Sequence, residues 1–511
     1  MIGTLPDWLG YRARTSPHRP ALIAGSTTLT FAELDRCAAV VARRLASLGV
    51  GEGARVATVL PNGAAYAVLV HALMRLRAIL VPLNPRLTAS EIAWRLQDAS
   101  PTVVVGDASA AGAVGGLHVT DPQDPDVLSG VREERVALWE RIGVSAVQGI
   151  VYTSATAGHP KGAMLTYGNH WWSAVASALN LGVHVGDRWL AVLPLSHIGG
   201  LAILWRSVIY GHPVVIHQRF DPQSVSEELD RGEVTVLSLV PTMLHRLLDA
   251  RGDRPLPQSV RAVLLGGGPI PPSLVERSLQ AGVPIAPTYG LTEAASQVAT
   301  LRPEDVRLCP GSCGRPLYPI EVRIRYQEQV PGTGTRNRYQ EQVPGTGTRN
   351  RYREPGEILV RGPVVMAGYW GRPHETERAL RGGWLHTGDI GYLDAEGYLY
   401  VLDRRDDLIV TGGENVYPAE VEAVLRAHPA VCEAAVVGLP DEEWGQVVVA
   451  AVETLPQVVA SEAELLAFCA GRLARHKVPK RVWFVDALPR SGPDKVRRAA
   501  VRERLRGAAA E

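Results

Sequence analysis

The sequence predicts an α/β fold, with a large N-terminal domain of layered sheets and helices and a small α+β C-terminal domain. Three observations carry this prediction. From about Ala21 to Leu402, short apolar runs alternate with amphipathic helical stretches. That is the pattern of mainly parallel strands covered by helices. Beyond Pro355, short alternating strands separated by Gly-rich turns take over, as in an antiparallel subdomain. Finally, the charged run Asp403-Arg404-Arg405-Asp406-Asp407 parts two apolar segments, and about a hundred residues follow it.

At 511 residues the chain is too long for one hydrophobic core. A hydrophobic share of 46% with 21% charged residues suits ordinary globular domains. The net charge of +1 offers no field for a nucleic acid or an acidic membrane. Met1 to Pro17 lack the apolar core of a secretory leader, so the expected location is cytoplasmic. The most apolar long stretch, Val68–Leu83, is interrupted by Arg75 and Arg77. It predicts a buried helix and strand, not a membrane span. Val234–Val240 and Val260–Leu265 read as buried strands, followed by helices at Pro241–Ala250 and near Ser273–Ala281. Glu357–Arg361, Tyr398–Leu402 and Leu408–Val410 read as shorter strands. Pro418 suits the first turn of a helix whose apolar face is Val421, Val424 and Leu425. Nothing in the sequence sets an oligomeric state.

Residues 325–337 (RYQEQVPGTGTRN) recur unchanged at 338–350, and Arg351-Tyr352 begin a third copy. Two identical neighbours cannot each fit a distinct core environment. The stretch 324–354 is therefore expected to be an inserted loop, extended or disordered, or a β-hairpin extension. The five cysteines are scattered, and their odd number argues against a disulfide framework. Cys309 and Cys313 are close, but no second ligand pair follows, so a metal site is not expected there. Of 53 basic residues only four are lysines: Lys161, Lys477, Lys480 and Lys495. Arginine replaces lysine readily on a surface, less readily in a tight phosphate site.

Four segments carry chemistry. The first, Tyr152 to Gly162 (YTSATAGHPKG), follows a strand at Gly149–Thr153. Small residues let backbone N–H groups approach an anion, and hydroxyls and an ammonium complete a phosphate cradle. The spacing is not that of a Walker loop. The second, Tyr289-Gly290-Leu291-Thr292-Glu293, follows the apolar run Val283–Pro287. Ligands of open α/β sheets sit at strand carboxyl ends. There a Tyr stacks on a base, a Thr bonds a phosphate oxygen and a Glu holds Mg²⁺. The third runs from Trp384 to Glu422 and contains His386-Thr387-Gly388-Asp389, the charged run and Gly412-Gly413. Asp389 is either a ribose ligand or a turn cap. The fourth, Leu488–Arg498, holds Lys495 in a tail that is otherwise a solvated, fraying end.

In this order and spacing, the four segments resemble the adenylate-forming enzymes. These include acyl-CoA synthetases, firefly-type luciferases and the adenylation domains of peptide synthetases. The resemblance covers Pro6 to Arg498. Three further runs, Thr166–Val183, Leu193–Gly211 and Val401–Glu422, resemble the o-succinylbenzoate–CoA ligases of menaquinone biosynthesis. The Trp171-Trp172 pair is the most specific of these signals. It also predicts a helix carrying two buried indoles.

The resemblance implies an adenylate-forming domain over residues 1–402, a hinge at 403–407 and a mobile domain over 408–511. It implies ATP, Mg²⁺ and coenzyme A as ligands, and a small carboxylic acid as substrate. Thr153, Ser154, Thr156 and Lys161 would cradle the β and γ phosphates. Gly266, Gly267, Gly268 and Tyr289 would enclose the adenine. Thr292 would contact the α-phosphate and Glu293 would hold Mg²⁺. Asp389 and Arg404 would grip the ribose, and His197 would line the acid pocket. Lys495 would bridge the α-phosphate and the attacking carboxylate. Asp406 would be the hinge, and Gly412 and Gly413 would line a pantetheine tunnel. Ser296 and Gln297 are candidates for a second carboxylate of the substrate.

The departures are few. Ala155 and Ala157 stand where the family loop usually has Gly and Thr. Ser196 precedes His197 where an aromatic is common, and Asp494 precedes Lys495 where many relatives have Gly. Two alternatives stay open: a CoA ligase for another aromatic or short- to medium-chain acid, and a degenerate nucleotide-binding protein.

Overall fold

The computed structural model describes residues 3–87, 89–110, 117–153, 160–268, 270–328, 338–342, 354–404, 409–411, 414–416, 418–441, 444–455, 460–473, 475–490 and 496–508. They form two compact units. One comprises described residues of 1–154, 159–322 and 360–386; the other, those of 323–359 and 387–511.

The first unit is α/β. In its eight-stranded sheet, six strands run parallel in the order Ile285–Leu291, Ala262–Leu265, Val236–Leu239, Trp189–Ala191, Val214–Ile216, Pro20–Ala24. Antiparallel neighbours, Ser296–Thr300 and Thr27–Thr30, close its edges. The seven-stranded sheet runs Gly368–Tyr369, Lys161–Thr166, Val147–Thr153, Ile79–Leu83, Arg55–Val59, Val103–Gly106, Leu117–Val119. Its central strand Ile79–Leu83 is wholly apolar, as a parallel strand covered on both faces must be. Ile79–Leu83 is buried throughout.

The helix Ala64–Leu76 is buried on every side and touches a strand of each sheet. Its Arg75 donates to Asp7 Oδ2 at 3.1 Å and to the Asp35 carbonyl at 2.8 Å, so the charge inside the apolar run is paired. Among the described residues no helix is long and apolar enough to cross a membrane. The helices Pro241–Arg251 and Pro272–Gln280 begin at prolines, which suit the first turn because they lack an N–H to satisfy.

The helix Tyr167–Leu181 corrects one expectation. Trp171 stacks on Trp8 at 6.2 Å, but Trp172 is 36% exposed, so only one indole packs inward. Tyr167 and Trp205 also pack on Trp8, and His71 and His170 pack in turn on Trp205.

The second unit holds the repeat. Arg325 to Glu328 pair antiparallel with Arg338 to Glu341, the same four residues of the next copy. Reversal sets Arg325 opposite Glu341 and Glu328 opposite Arg338. The two copies thus pair as a hairpin, the second of the two forms expected. Further on, Val431–Asp441 and Gly445–Thr454 form a long antiparallel pair, with Arg481–Phe484 parallel to the latter. Alternate residues serve opposite faces. Val436, Val448 and Ala450 pack with Val421, Leu425 and Leu465. Val437, Val449 and Ala451 pack with Val501 and Leu505. The C-terminal helix Arg498–Ala508 is therefore docked, not a fraying tail. Arg498 adds a bidentate pair to buried Glu422, at 2.9 and 2.7 Å.

His71 and His170 are buried, and desolvation pushes both imidazoles down to about 3 from 6.5, helped by Arg75 and Arg206 respectively. The unfolded chain therefore takes up protons below pH 6.5 that the folded chain refuses. The stability concerned is complete above about 6.5 and is lost as pH falls toward 3. At pH 5 the loss should be about 2 kcal/mol for each imidazole. Thermal unfolding compared at pH 7.5 and 5 should show this fall, and His71→Gln/His170→Gln should flatten it.

Candidate active site

The first chemical segment is a hairpin whose ends are tied together. Thr153 lies opposite Lys161 in the antiparallel ladder, and its Oγ1 donates to the Lys161 carbonyl at 3.4 Å. Ser154, Ala155, Thr156 and Ala157, between them, lie outside the described residues. At the hairpin's base, Tyr152 donates to Asp98 Oδ2 at 2.8 Å, and Arg372 binds Asp98 Oδ1 at 2.5 Å. Gly162 is required by space: a Cβ there would stand 2.4 Å from Ile150 Cγ2. The Lys161 ammonium lies 5.4 Å from the ring centroid of Tyr369. Among the described residues it has no carboxylate partner. A half-buried cation in that condition suits an anionic ligand.

The second segment is the turn between Ile285–Leu291 and Ser296–Thr300. Thr292–Ala294 form a 3₁₀ turn, followed by Ala295 at φ 50° and Ser296 at φ 104°. Two successive non-glycine residues with positive φ cost free energy and persist only where neighbours hold them. Ser173, from the Trp171 helix, donates to the Ala295 carbonyl at 2.7 Å. Met366 N–H donates to the Glu293 carbonyl at 2.8 Å. The Glu293 side chain accepts from the Tyr369 hydroxyl, 2.9 Å from Oε1. Tyr289 is buried on the same strand, and Gly266 passes so close that a Cβ would meet the Thr288 carbonyl at 2.6 Å. Gly267 has φ +80°, while Gly268 faces open space.

The two candidates for a second carboxylate differ. Ser296 is half-buried on the strained turn. Gln297 is buried and bonded both ways: its Oε1 accepts from Arg206 and its Nε2 donates to Thr300 Oγ1, each at 2.8 Å. Arg206 is the only charged residue of the buried helix Ile198–Tyr210, lies 5.2 Å from the Trp189 ring and has an unpartnered Nε.

His197 caps that helix. Asn62 fixes the preceding loop, accepting from Leu195 N–H at 2.8 Å and donating to the Leu193 carbonyl at 2.9 Å. Tyr66 donates to the Leu195 carbonyl at 3.1 Å. His197 is reached by solvent, yet the surrounding protein disfavours its charged form, and desolvation lowers its pKa. It is therefore neutral near pH 7 and donates or accepts without adding charge. Ser196 is buried, and among the described residues its Oγ has no partner.

In the second unit, Asp389 is buried and lies opposite Arg404 in the ladder. Its N–H donates to Thr387 Oγ1 at 3.0 Å, and Thr387 donates to the Ile358 carbonyl at 2.8 Å. The strand register therefore makes neighbours of the two expected ribose ligands. Asp406, Gly412, Gly413, Asp494 and Lys495 lie outside the described residues, although Arg490 and Val496 pair on either side of residues 491–495.

Sequence reasoning missed Tyr369, Ser173, Asn62 and Arg206. The lone arginine of an apolar helix and the Gly368-Tyr369-Trp370 run were the available signals for two of them. A Gly290→Ala variant tests the turn. Its Cβ would stand 1.8 Å from the Ser296 carbonyl. The adenylation that the sequence resemblance implies should fall by about 100-fold or more, because a 1 Å displacement of a reacting group already costs that much. Pyrophosphate release checks it.

Comparison with known proteins identifies the family. The model of the AMP-binding enzyme family matches residues 9–370, and that of the AMP-binding enzyme C-terminal domain matches 420–495. A 2-succinylbenzoate–CoA ligase of Geobacillus kaustophilus is 47% identical over 97% of both chains. The o-succinylbenzoate CoA synthetase of Bacillus subtilis in complex with its acyl-adenylate intermediate is 41% identical, with a TM-score of 0.88 over 98% of this chain and 99% of that one. The same enzyme in complex with ATP and magnesium ion gives 0.86 at 41% identity, over 97% and 99%. The chain belongs to the AMP-binding enzyme family.

Proposed function

We propose that this protein is a 2-succinylbenzoate–CoA ligase, which forms the acyl-adenylate from ATP and then the CoA thioester. The observation that carries the reading is the unneutralised pair Lys161 and Glu293, a cation and a carboxylate both touching Tyr369, together with 47% identity to a ligase of that name. In the first step a substrate carboxylate oxygen bonds to the α-phosphorus and pyrophosphate leaves. In the second the CoA sulfur bonds to the acyl carbon and AMP leaves.

Both partners of the first step are anions, so fixed cations must offset their repulsion. No general base is needed, because a carboxylate is already ionised near neutral pH. Lys161, with Thr153, Ser154 and Thr156, takes the outer phosphates. Thr292 takes the α-phosphate, and Glu293 holds the metal. Mg²⁺, when bound, supplies positive charge against the charge developing on the phosphates. Gly266, Gly267, Gly268 and Tyr289 take the adenine, and Asp389 and Arg404 the ribose. Lys495 meets the attacking carboxylate, Asp406 is the hinge between steps, and Gly412 and Gly413 line the thiol's path. We place the domain division at 1–402 and 408–511, about that hinge.

The acid lies beside neutral His197. A second carboxylate needs its own cation or hydroxyl. Ser296 and Ser196, whose Oγ is unpartnered among the described residues, offer hydroxyls, and Gln297 is bonded to buried Arg206. Because ATP and CoA are cytoplasmic metabolites, we place the protein in the cytoplasm.

Incubation with ATP, Mg²⁺, CoA and 2-succinylbenzoate should give the thioester by mass spectrometry, and benzoate or hexanoate should not. Thioester from either of those acids alone would discard the substrate assignment. Lys495→Ala should slow adenylation by about 100-fold or more. Thioester formation from added acyl-adenylate should be spared.

A further inference from the structure

We infer that Tyr369 is a positioning residue, which orients the Glu293 carboxylate for the metal while keeping Lys161 from neutralising it. The inference rests on the proposed metal role of Glu293. Its phenol donates to Glu293 Oε1 at 2.9 Å, and its ring presents a face to the Lys161 ammonium at 5.4 Å. Among the described residues Glu293 Oε2 has no hydrogen-bond donor, and Lys161 and Glu293 form no ion pair. One side chain thus touches both charges, and they do not pair with each other.

The choice of group is physically specific. A lysine or arginine donating to Oε1 would fix the carboxylate but cancel the charge that a dication needs. A phenol fixes one oxygen and leaves the net charge intact. The ring's negative face holds the ammonium without a counter-ion. A partner that orients a metal-binding carboxylate typically matters about 10- to 100-fold in metal affinity.

The backbone of Tyr369 is held for this task. Gly368–Tyr369 pair with Ala163 and Met164, and Trp370 N–H donates to the Gly162 carbonyl at 2.8 Å. Tyr369 N–H donates to Thr376 Oγ1 at 2.8 Å, and Thr376 donates to the Arg372 carbonyl at 2.8 Å. Gly368 has φ +143°, and a Cβ there would stand 2.7 Å from Thr376 Cγ2, so no other residue lets the strap lie this close. Trp370 Nε1 donates to the Asp98 carbonyl at 3.3 Å, and Asp98 is also the acceptor of Tyr152 at the phosphate hairpin's base. The strap is thus registered on both chemical segments.

Calorimetric titration of ATP without acid tests this, at graded Mg²⁺ and again with the metal chelated. Tyr369→Phe keeps the ring and loses the donor. It should raise the Mg²⁺ concentration needed for tight ATP binding by about 10-fold. Metal-free binding should be unchanged. Tyr369→Leu loses both contacts, and should also weaken metal-free binding, as Lys161 closes on Glu293. Glu293→Gln is the control. If Glu293→Gln changes the Mg²⁺ requirement and Tyr369→Phe does not, the positioning role is wrong while the metal role of Glu293 stands. If neither changes it, the metal role fails and this inference fails with it. A Tyr369→Phe protein that melts at lower temperature with an unaltered Mg²⁺ requirement would make the tyrosine merely structural.

Discussion

The constraint on which the rest depends is electrostatic. A carboxylate must approach a polyphosphate, so positive charge has to wait in place before either anion arrives. Waiting charges tend to find partners. A lysine and a glutamate near one another ordinarily form an ion pair, and such a pair would serve neither phosphate nor metal. In this chain Tyr369 gives each charge a weaker, neutral contact instead.

Holding these groups requires stiff backbone, and the fold supplies it locally. Lys161 stands on a strand whose partner ends at Thr153, and Glu293 follows a strand of the other sheet in the same unit. Both turns use close backbone approaches that a side chain would obstruct, at Gly162 and Gly290. The strained pair Ala295 and Ser296 is retained by the Ser173 hydroxyl, so the cost of the positive φ values is carried by packing in the next helix. Elsewhere in the unit, Asn62 and Tyr66 hold the backbone before His197, and desolvation disfavours the charged form of that imidazole.

Much of this was legible in the chain. Val236–Leu239 and Ala262–Leu265 lie within apolar runs too short for helices, and prolines mark the starts of the helices that follow Val236–Leu239 and Ala262–Leu265. Glu293 and Lys161 were visible as lone charges in otherwise small or apolar motifs. Tyr369 was not, because its meaning lies in two contacts, with Lys161 and with a residue 76 positions away in sequence. Ser173 likewise acts on a carbonyl 122 positions away. Trp172 shows the converse. A helical pattern says which residues share a face, but Trp8 decides which indole is covered. The tandem repeat was readable as an insertion. That it pairs as a hairpin comes from the strand register, which a repeat alone does not specify.

The central claim is that the acid's own oxygen attacks the α-phosphorus. Supplying 2-succinylbenzoate labelled with ¹⁸O in its carboxylates, together with ATP, Mg²⁺ and CoA, tests it directly. The account predicts AMP carrying one ¹⁸O atom, in step with thioester formation. Unlabelled AMP, or ADP and phosphate in its place, would contradict an acyl-adenylate route.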